Sequence, residues 1–153
     1  MKSIAIMQPY FLPYIGYFQL MAAADKFVVF DDVNFIKRGW VNRNRLLLDG
    51  AAHLFTVPLR GASQNRLICE TELADGRGWR EKLLRTVRQA YGRAPCYARA
   101  SALLEGMLDY PSTRLDGFLL NSLREVVRYL SLEVEIECTS RVYRNAHLKG
   151  QER

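Results

Sequence analysis

The chain has no apolar run approaching the roughly 20 residues a helix needs to cross a bilayer, so no membrane span is expected. It is also poor in soft metal ligands, with three cysteines and two histidines among 153 residues. Cys69, Cys96 and Cys138 are odd in number and far apart, which excludes a disulfide framework and a CxxC zinc knuckle. Such cysteine usage predicts reduced thiols, a cytoplasmic location and no metal centre. The short run Ile4–Met7 meets Gln8-Pro9 too early to be the apolar region of a secretory signal. There is no Walker loop, no GxGxxG, and no legible Ser/His/Asp or Cys/His pairing. Internal repeats, low-complexity tracts and interdomain linkers are absent as well.

Acidic residues are sparse where basic ones gather. The formal net charge is +6, from 22 Lys and Arg against 16 Asp and Glu. Between Lys37 and Arg66 six basic residues face the single acid Asp49, and between Arg77 and Arg99 seven face Glu81. Such an excess predicts an anionic partner: a nucleotide-sugar, a nucleotide, a phosphopantetheine carrier or nucleic acid. The second cluster also fits a solvated helical surface. A hydrophobic content of 49% in 153 residues is ordinary for a globular chain. It predicts a single α/β domain over residues 1–153.

Periodicity divides the chain. Ser3–Met7 reads as a buried strand, a helix follows from about Tyr14 to Ala24, and Phe27–Phe30 is a second apolar β-type run. So short a crossover predicts a βαβ unit with parallel strands. Asp49-Gly50 between the runs Arg45–Leu48 and His53–Leu59 signals a hairpin, and Arg66–Cys69 suggests a short strand. From Trp79 the period changes to that of helices. One stripe ends at Gly92, a second helix opens at Ala94-Pro95, and Ser112-Thr113 offers a cap before Leu115–Leu130. Leu132–Cys138 alternates as a final strand. The fold expected is a small mainly parallel sheet with a β-hairpin insertion and a helical second half.

Three segments carry chemistry that a core does not require. The loop after the first strand holds Gln8, Tyr10 and Tyr14, where open α/β sheets collect ligands beyond the carboxyl ends of their strands. Gly16 and Tyr17 begin the helix, and a glycine there costs roughly 1 kcal/mol of propensity relative to alanine. Close approach of ligand or backbone would account for that cost. Asp31-Asp32 ends the second apolar run. In an extended chain adjacent carboxylates point to opposite faces, so one is expected to bind a hydroxyl, an amine or Mg²⁺ and the other to cap a turn. The third segment is Lys37, Arg38, Trp40, Asn42, Arg43, Asn44 and Arg45. It combines guanidinium groups for phosphate or carboxylate, an aromatic face for a base or sugar, and amides for orientation. The same mixture suits RNA.

The blocks MQPYFLPYIGYFQLM, FVVFDDVNFIKRGWVNRNR and FTVPL, then a helical W–AY–AP pattern, resemble the WbqC-like family in the same order. That resemblance implies a place in surface-polysaccharide clusters, O-antigen clusters among them. It further implies work on an activated amino-sugar with an acyl or aminoacyl donor. Family members are usually longer, and the stretch from Val142 to Arg153 is polar, so the chain is expected to lack a C-terminal part of the family's domain. A more distant resemblance, implying a distantly HUP/Rossmann-like fold, is to HUP-type nucleotidyltransferases and class I aminoacyl-tRNA synthetases, in which His-x-Gly-His binds ATP phosphates. Tyr14-Ile-Gly-Tyr17 stands in that place here, and tyrosine brings no positive charge near neutral pH.

The leading expectation is a cytoplasmic transferase acting on a nucleotide-activated amino-sugar or an activated acyl donor. Tyr14, Asp31 and Asp32 are its candidate catalytic groups. Gln8, Tyr10, Gly16, Tyr17, Lys37, Arg38, Trp40, Asn42, Arg43, Asn44 and Arg45 are its candidate binding residues. The rivals are a HUP-like ATP-dependent adenylylating enzyme, which would bring in ATP and Mg²⁺, and a non-catalytic nucleotide- or RNA-binding module. An oligomer is compatible with each.

Overall fold

The computed structural model describes residues 2–74 and 76–148. Strand β1 (Ile4–Met7) leads through helix α1 (Ile15–Ala23) to β2 (Lys26–Val29), and the two strands pair in parallel with Ile4 opposite Lys26. This is the βαβ opening expected from the sequence. The third strand of the sheet comes from the far end of the chain. After the hairpin β3 (Arg43–Leu48) and β4 (Ala51–Thr56) come the short pair β5 (Leu59–Arg60) and β6 (Glu72–Leu73). Helices α2 (Gly78–Tyr91), α3 (Tyr97–Asp109) and α4 (Leu115–Tyr129) then lead to β7 (Glu135–Glu137), which pairs in parallel with β2. The sheet order is therefore β1-β2-β7.

Strand alternation sorts the two faces of this sheet. Ala5, Phe27 and Ile136 are register neighbours, and with Tyr17, Phe18 and Met21 of α1 and Leu123 and Val127 of α4 they form one core cluster. On the other face Lys26 pairs with Glu135 at 2.7 Å and Glu137 at 3.7 Å, while Ile4 and Ile6 stay exposed. A second cluster gathers Phe11, Phe35, Val41, Leu46, Val57, Ile68, Leu83, Leu104 and Leu108. Helix α4 joins the two. Its buried positions Leu115, Phe118, Leu119, Ser122, Leu123 and Val127 recur at helical spacing, with the first three in the second cluster and Leu123 and Val127 in the first.

The hairpin is formed as expected. Asp49 (φ +50°) and Gly50 (φ +77°) take the two left-handed positions that a tight two-residue turn demands, closing Leu48 against Ala51. The strand expected over Arg66–Cys69 is not formed. Phe35, Ile68 and Cys69 N–H bond to the carbonyls of Arg66, Val33 and Asp31 respectively, giving one isolated bridge, Asn34 to Leu67. The chain then curls into a 3-10 turn at Ile68–Glu70 because Glu70 accepts from Leu67 N–H and Thr71 donates to Leu67 O. The cap expected from Ser112-Thr113 is also different. Arg114 stands at the start of α4 without a side-chain cap, and the Ser112 hydroxyl bonds back to Arg114 N–H at 3.2 Å and its carbonyl at 2.8 Å. Among the described residues no helix is long and apolar enough to cross a membrane.

Candidate functional site

The loop after β1 and the segment before β3 are stitched together. Phe11 N–H donates to Val41 O at 3.0 Å, and the Asn44 amide nitrogen donates to Leu12 O. Beneath, Tyr17 packs against Tyr10, Phe18 and Phe27 and donates its hydroxyl to Gln8 O at 2.9 Å. Burial, and secondarily the neighbouring Tyr10, push the Tyr17 phenol well above its ordinary pKa of 10.0, so it stays protonated and a donor. Gln8 and Tyr17 thus hold the loop from below. A Cβ at Gly16 would fall 2.3 Å from the Tyr14 ring, which is exposed and would have to swing aside. The close approach at Gly16 is to that ring, which folds back over the first turn of α1.

These constraints set Tyr10, Pro13, Tyr14, Trp40, Asn44 and Arg45 around a cleft of about 330 Å³. Trp40 is 44% exposed, with the Arg45 guanidinium 5.2 Å and the Arg43 guanidinium 5.6 Å from its ring centre. Such cation–π contacts contribute about 0.5–1 kcal/mol each at exposed sites, enough to bias orientation without locking it. Arg43 is also held by its Nε donating to Gly39 O at 2.8 Å. Arg45 lines the cleft and presents charge to it. Asn42 is buried and donates to Val57 O at 2.8 Å, so it braces the base of the hairpin. Asn44 is occupied on both ends, its Oδ1 accepting from Arg45 N–H at 2.8 Å. Lys37 and Arg38 are exposed neighbours of the cleft's loop, Arg38 in a left-handed conformation at φ +62°.

Asp31 and Asp32 are placed elsewhere on the same sheet edge. Neither lines the cleft; both are buried, at 1% and 6% exposure. The chain leaves β2 at Val29 and bends at Asp32. The alternation expected of an extended chain is therefore lost, and both carboxylates converge on the residues that follow β7. Asp31 Oδ1 accepts from Thr139 Oγ1 at 2.7 Å and from Ser140 N–H at 3.2 Å. The Ser140 hydroxyl reaches Asp31 at 3.3 Å and bonds closely to Asp32 Oδ1. Arg141 lies 3.7 Å from Asp31 Oδ2 and 3.9 Å from Asp116, which is itself paired with Arg114 at 2.9 Å. Arg114 also donates to Cys69 O. Burial, then the nearby Asp31 charge, raise the pKa of the Cys69 thiol, which disfavours a thiolate there.

The structure brings together Tyr10, Tyr14, Trp40, Asn44 and Arg45, with the Arg43 guanidinium over the Trp40 ring but outside the cleft lining. It does not bring Tyr14 and the two aspartates onto one surface. Sequence reasoning missed Thr139, Ser140 and Arg141. The signal available was their position just past the last strand, which matches that of Asp31-Asp32 past β2. Among the described residues no cluster of three or more His, Cys, Asp or Glu side chains could hold a metal.

Fold and site together define a mixed α/β protein whose three-stranded parallel sheet carries an aromatic, arginine-bearing cleft beside its carboxyl edge. The chain belongs to the WbqC-like protein family, whose model matches residues 8–152. It is 29% identical over 137 residues to "Uncharacterized protein Rv1507c" of Mycobacterium tuberculosis (strain ATCC 25618 / H37Rv). That match covers 89% of this chain and 59% of the relative, so the chain spans well under two thirds of the relative's length. No solved structure matches it.

Proposed function

We propose that this chain supplies the substrate-binding part of a transferase of surface-polysaccharide biosynthesis, acting on a nucleotide-activated amino-sugar with an activated acyl or aminoacyl donor. One observation carries the reading: Trp40, flanked by Arg43 and Arg45, shares a cleft with Tyr10 and Tyr14. A nucleotide-sugar needs an aromatic face for its base or sugar and a guanidinium for its diphosphate, and both stand within one small cavity. The net charge of +6 favours an anionic ligand in the same sense. In this reading Gln8, Gly16, Tyr17, Asn42 and Asn44 shape the cleft. Asp31 and Asp32 fix the sheet edge beside it.

The ATP-dependent alternative draws less support from the geometry, because Tyr17 is buried and donates to a backbone carbonyl. The nucleic-acid alternative rests on the net charge of +6 and on the same Arg, Asn and Trp segment, without a further feature of its own. Titration calorimetry with UDP-N-acetylglucosamine, UDP, ATP and a short single-stranded RNA separates the three. The nucleotide-sugar is expected to bind, and Arg45→Ala to weaken it about tenfold, the loss of one charge-assisted contact worth about 1.5 kcal/mol. Binding of RNA alone, with affinity falling steeply as salt rises, would replace this reading with the nucleic-acid module.

A further inference from the structure

The cleft does not end at Arg45. Asn44 and Arg45 also line a second cavity of about 470 Å³, between the hairpin and helices α2 and α3. Its walls are almost wholly apolar, formed by Leu46, Phe55, Val87, Leu104 and Met107 among others. Cavities of roughly 300–1,000 Å³ with an apolar lining and a few polar groups at the rim are the usual form of small-molecule sites. Here the polar groups at the rim shared with the cleft are a cation and an amide. Cys96, which is exposed, stands at the opening of α3 and lines the same cavity.

We infer that this cavity binds the aliphatic chain of an acyl donor, with the donor's anionic, phosphate-bearing carrier held at Arg45 where cavity and cleft meet. This rests on the proposed transferase and names its second substrate by chemistry. An apolar wall gains from removing methylene groups from water, about 0.8 kcal/mol for each CH₂ buried. A guanidinium at the rim favours an acyl chain joined to an anionic carrier over neutral hydrocarbon. A sugar or nucleotide alone satisfies the rim and leaves the walls uncovered. A pocket lined by Arg85, Arg88 and Glu105 adjoins the cavity through Val87, Tyr97 and Ser101, which offers a competing place for the head group.

Cys96 provides the readout. In a Cys138→Ser variant it is the one well-exposed thiol, since Cys69 is buried. Its alkylation rate by iodoacetamide is followed with decanoyl-coenzyme A, coenzyme A and decanol. Decanoyl-coenzyme A is expected to slow alkylation at least tenfold, coenzyme A and decanol less than twofold. Ala100→Trp, which fills the cavity from an exposed position on α3, should abolish the protection in a chain whose melting curve remains cooperative. Arg45→Ala should weaken protection, and the double change Arg85→Ala with Arg88→Ala should not; the reverse pattern overturns the assignment of the head group. Equal protection by coenzyme A and its decanoyl ester, or none by either, overturns the inference. Binding of UDP-N-acetylglucosamine to the unmodified chain is measured in parallel. Its absence alongside decanoyl-dependent protection would remove the nucleotide-sugar reading and leave the acyl site standing.

Discussion

Replacing Asp31 with alanine tests whether its carboxylate anchors the end of β7 to the end of β2. The side chain is 1% exposed and accepts from Thr139 Oγ1 at 2.7 Å, Ser140 N–H at 3.2 Å and Ser140 Oγ at 3.3 Å. The two hydroxyls can turn toward other acceptors, but the buried backbone N–H cannot. Leaving such a donor unpaired costs about 1–3 kcal/mol. A lost hydroxyl-to-carboxylate bond adds about 1.5 kcal/mol, and contacts sharing one oxygen are not additive. Arg141 is half exposed and 3.7 Å from the other oxygen, so the ion pair adds no more than about 1 kcal/mol. The expected loss is about 3–4 kcal/mol, or roughly 6–16 °C in Tm for a chain of this length. Asp31→Asn keeps the volume and one acceptor and should lose about half as much. Urea and thermal unfolding followed by circular dichroism give the energies, and hydrogen exchange at the Ser140 amide reports the anchor itself. A loss below about 1 kcal/mol with that amide still protected would refute the anchoring role.

Two further outcomes follow from single residues. The Tyr17 phenol has its pKa raised by burial, so its contribution to stability is fully present below the ordinary value of 10.0 and is lost as pH climbs above it, where only the unfolded chain ionises. Tyr17→Phe should flatten the fall in Tm between pH 9 and 11 at a cost of about 1 kcal/mol near neutrality; identical alkaline slopes would show that the phenol is not protected. Gly50→Ala meets open space but keeps a φ of +77°, so backbone strain alone should cost about 1 kcal/mol by urea unfolding, and no loss would mean the turn relaxes.

The local grammar of the chain was readable where one short-range effect dominates. The apolar spacing of Tyr17, Phe18 and Met21, the Asp49-Gly50 turn and the α4 stripe each follow from neighbours a few residues away. Arg66–Cys69 was misread because its backbone bonds go to residues 31–35, and the Glu70 side chain then turns the chain. The aromatic part of the cleft was legible because Tyr10, Tyr14 and Trp40 are unusual together in exposed segments. The separation of Asp31 and Asp32 from it was not. That depends on Thr139 and Ser140, more than a hundred residues away, reaching β2 through the pairing of β7. Strand order is a long-range property that no local period encodes. The roles of Asn42 and Tyr17 were hidden for the same reason, since a buried amide and a buried phenol look like ligands until their backbone partners are known.

The most direct test of the account observes Trp40 itself. The chain has two tryptophans, so its NMR spectrum holds two indole N–H resonances, assigned by Trp40→Phe. Titration with UDP-N-acetylglucosamine should shift the Trp40 resonance along a saturable curve, leave that of Trp79 in place, and lose most of the effect in Arg45→Ala. A nucleotide-sugar that binds without moving the Trp40 resonance, or that moves both indoles alike, would contradict a site in the Tyr10–Tyr14–Trp40–Arg45 cleft.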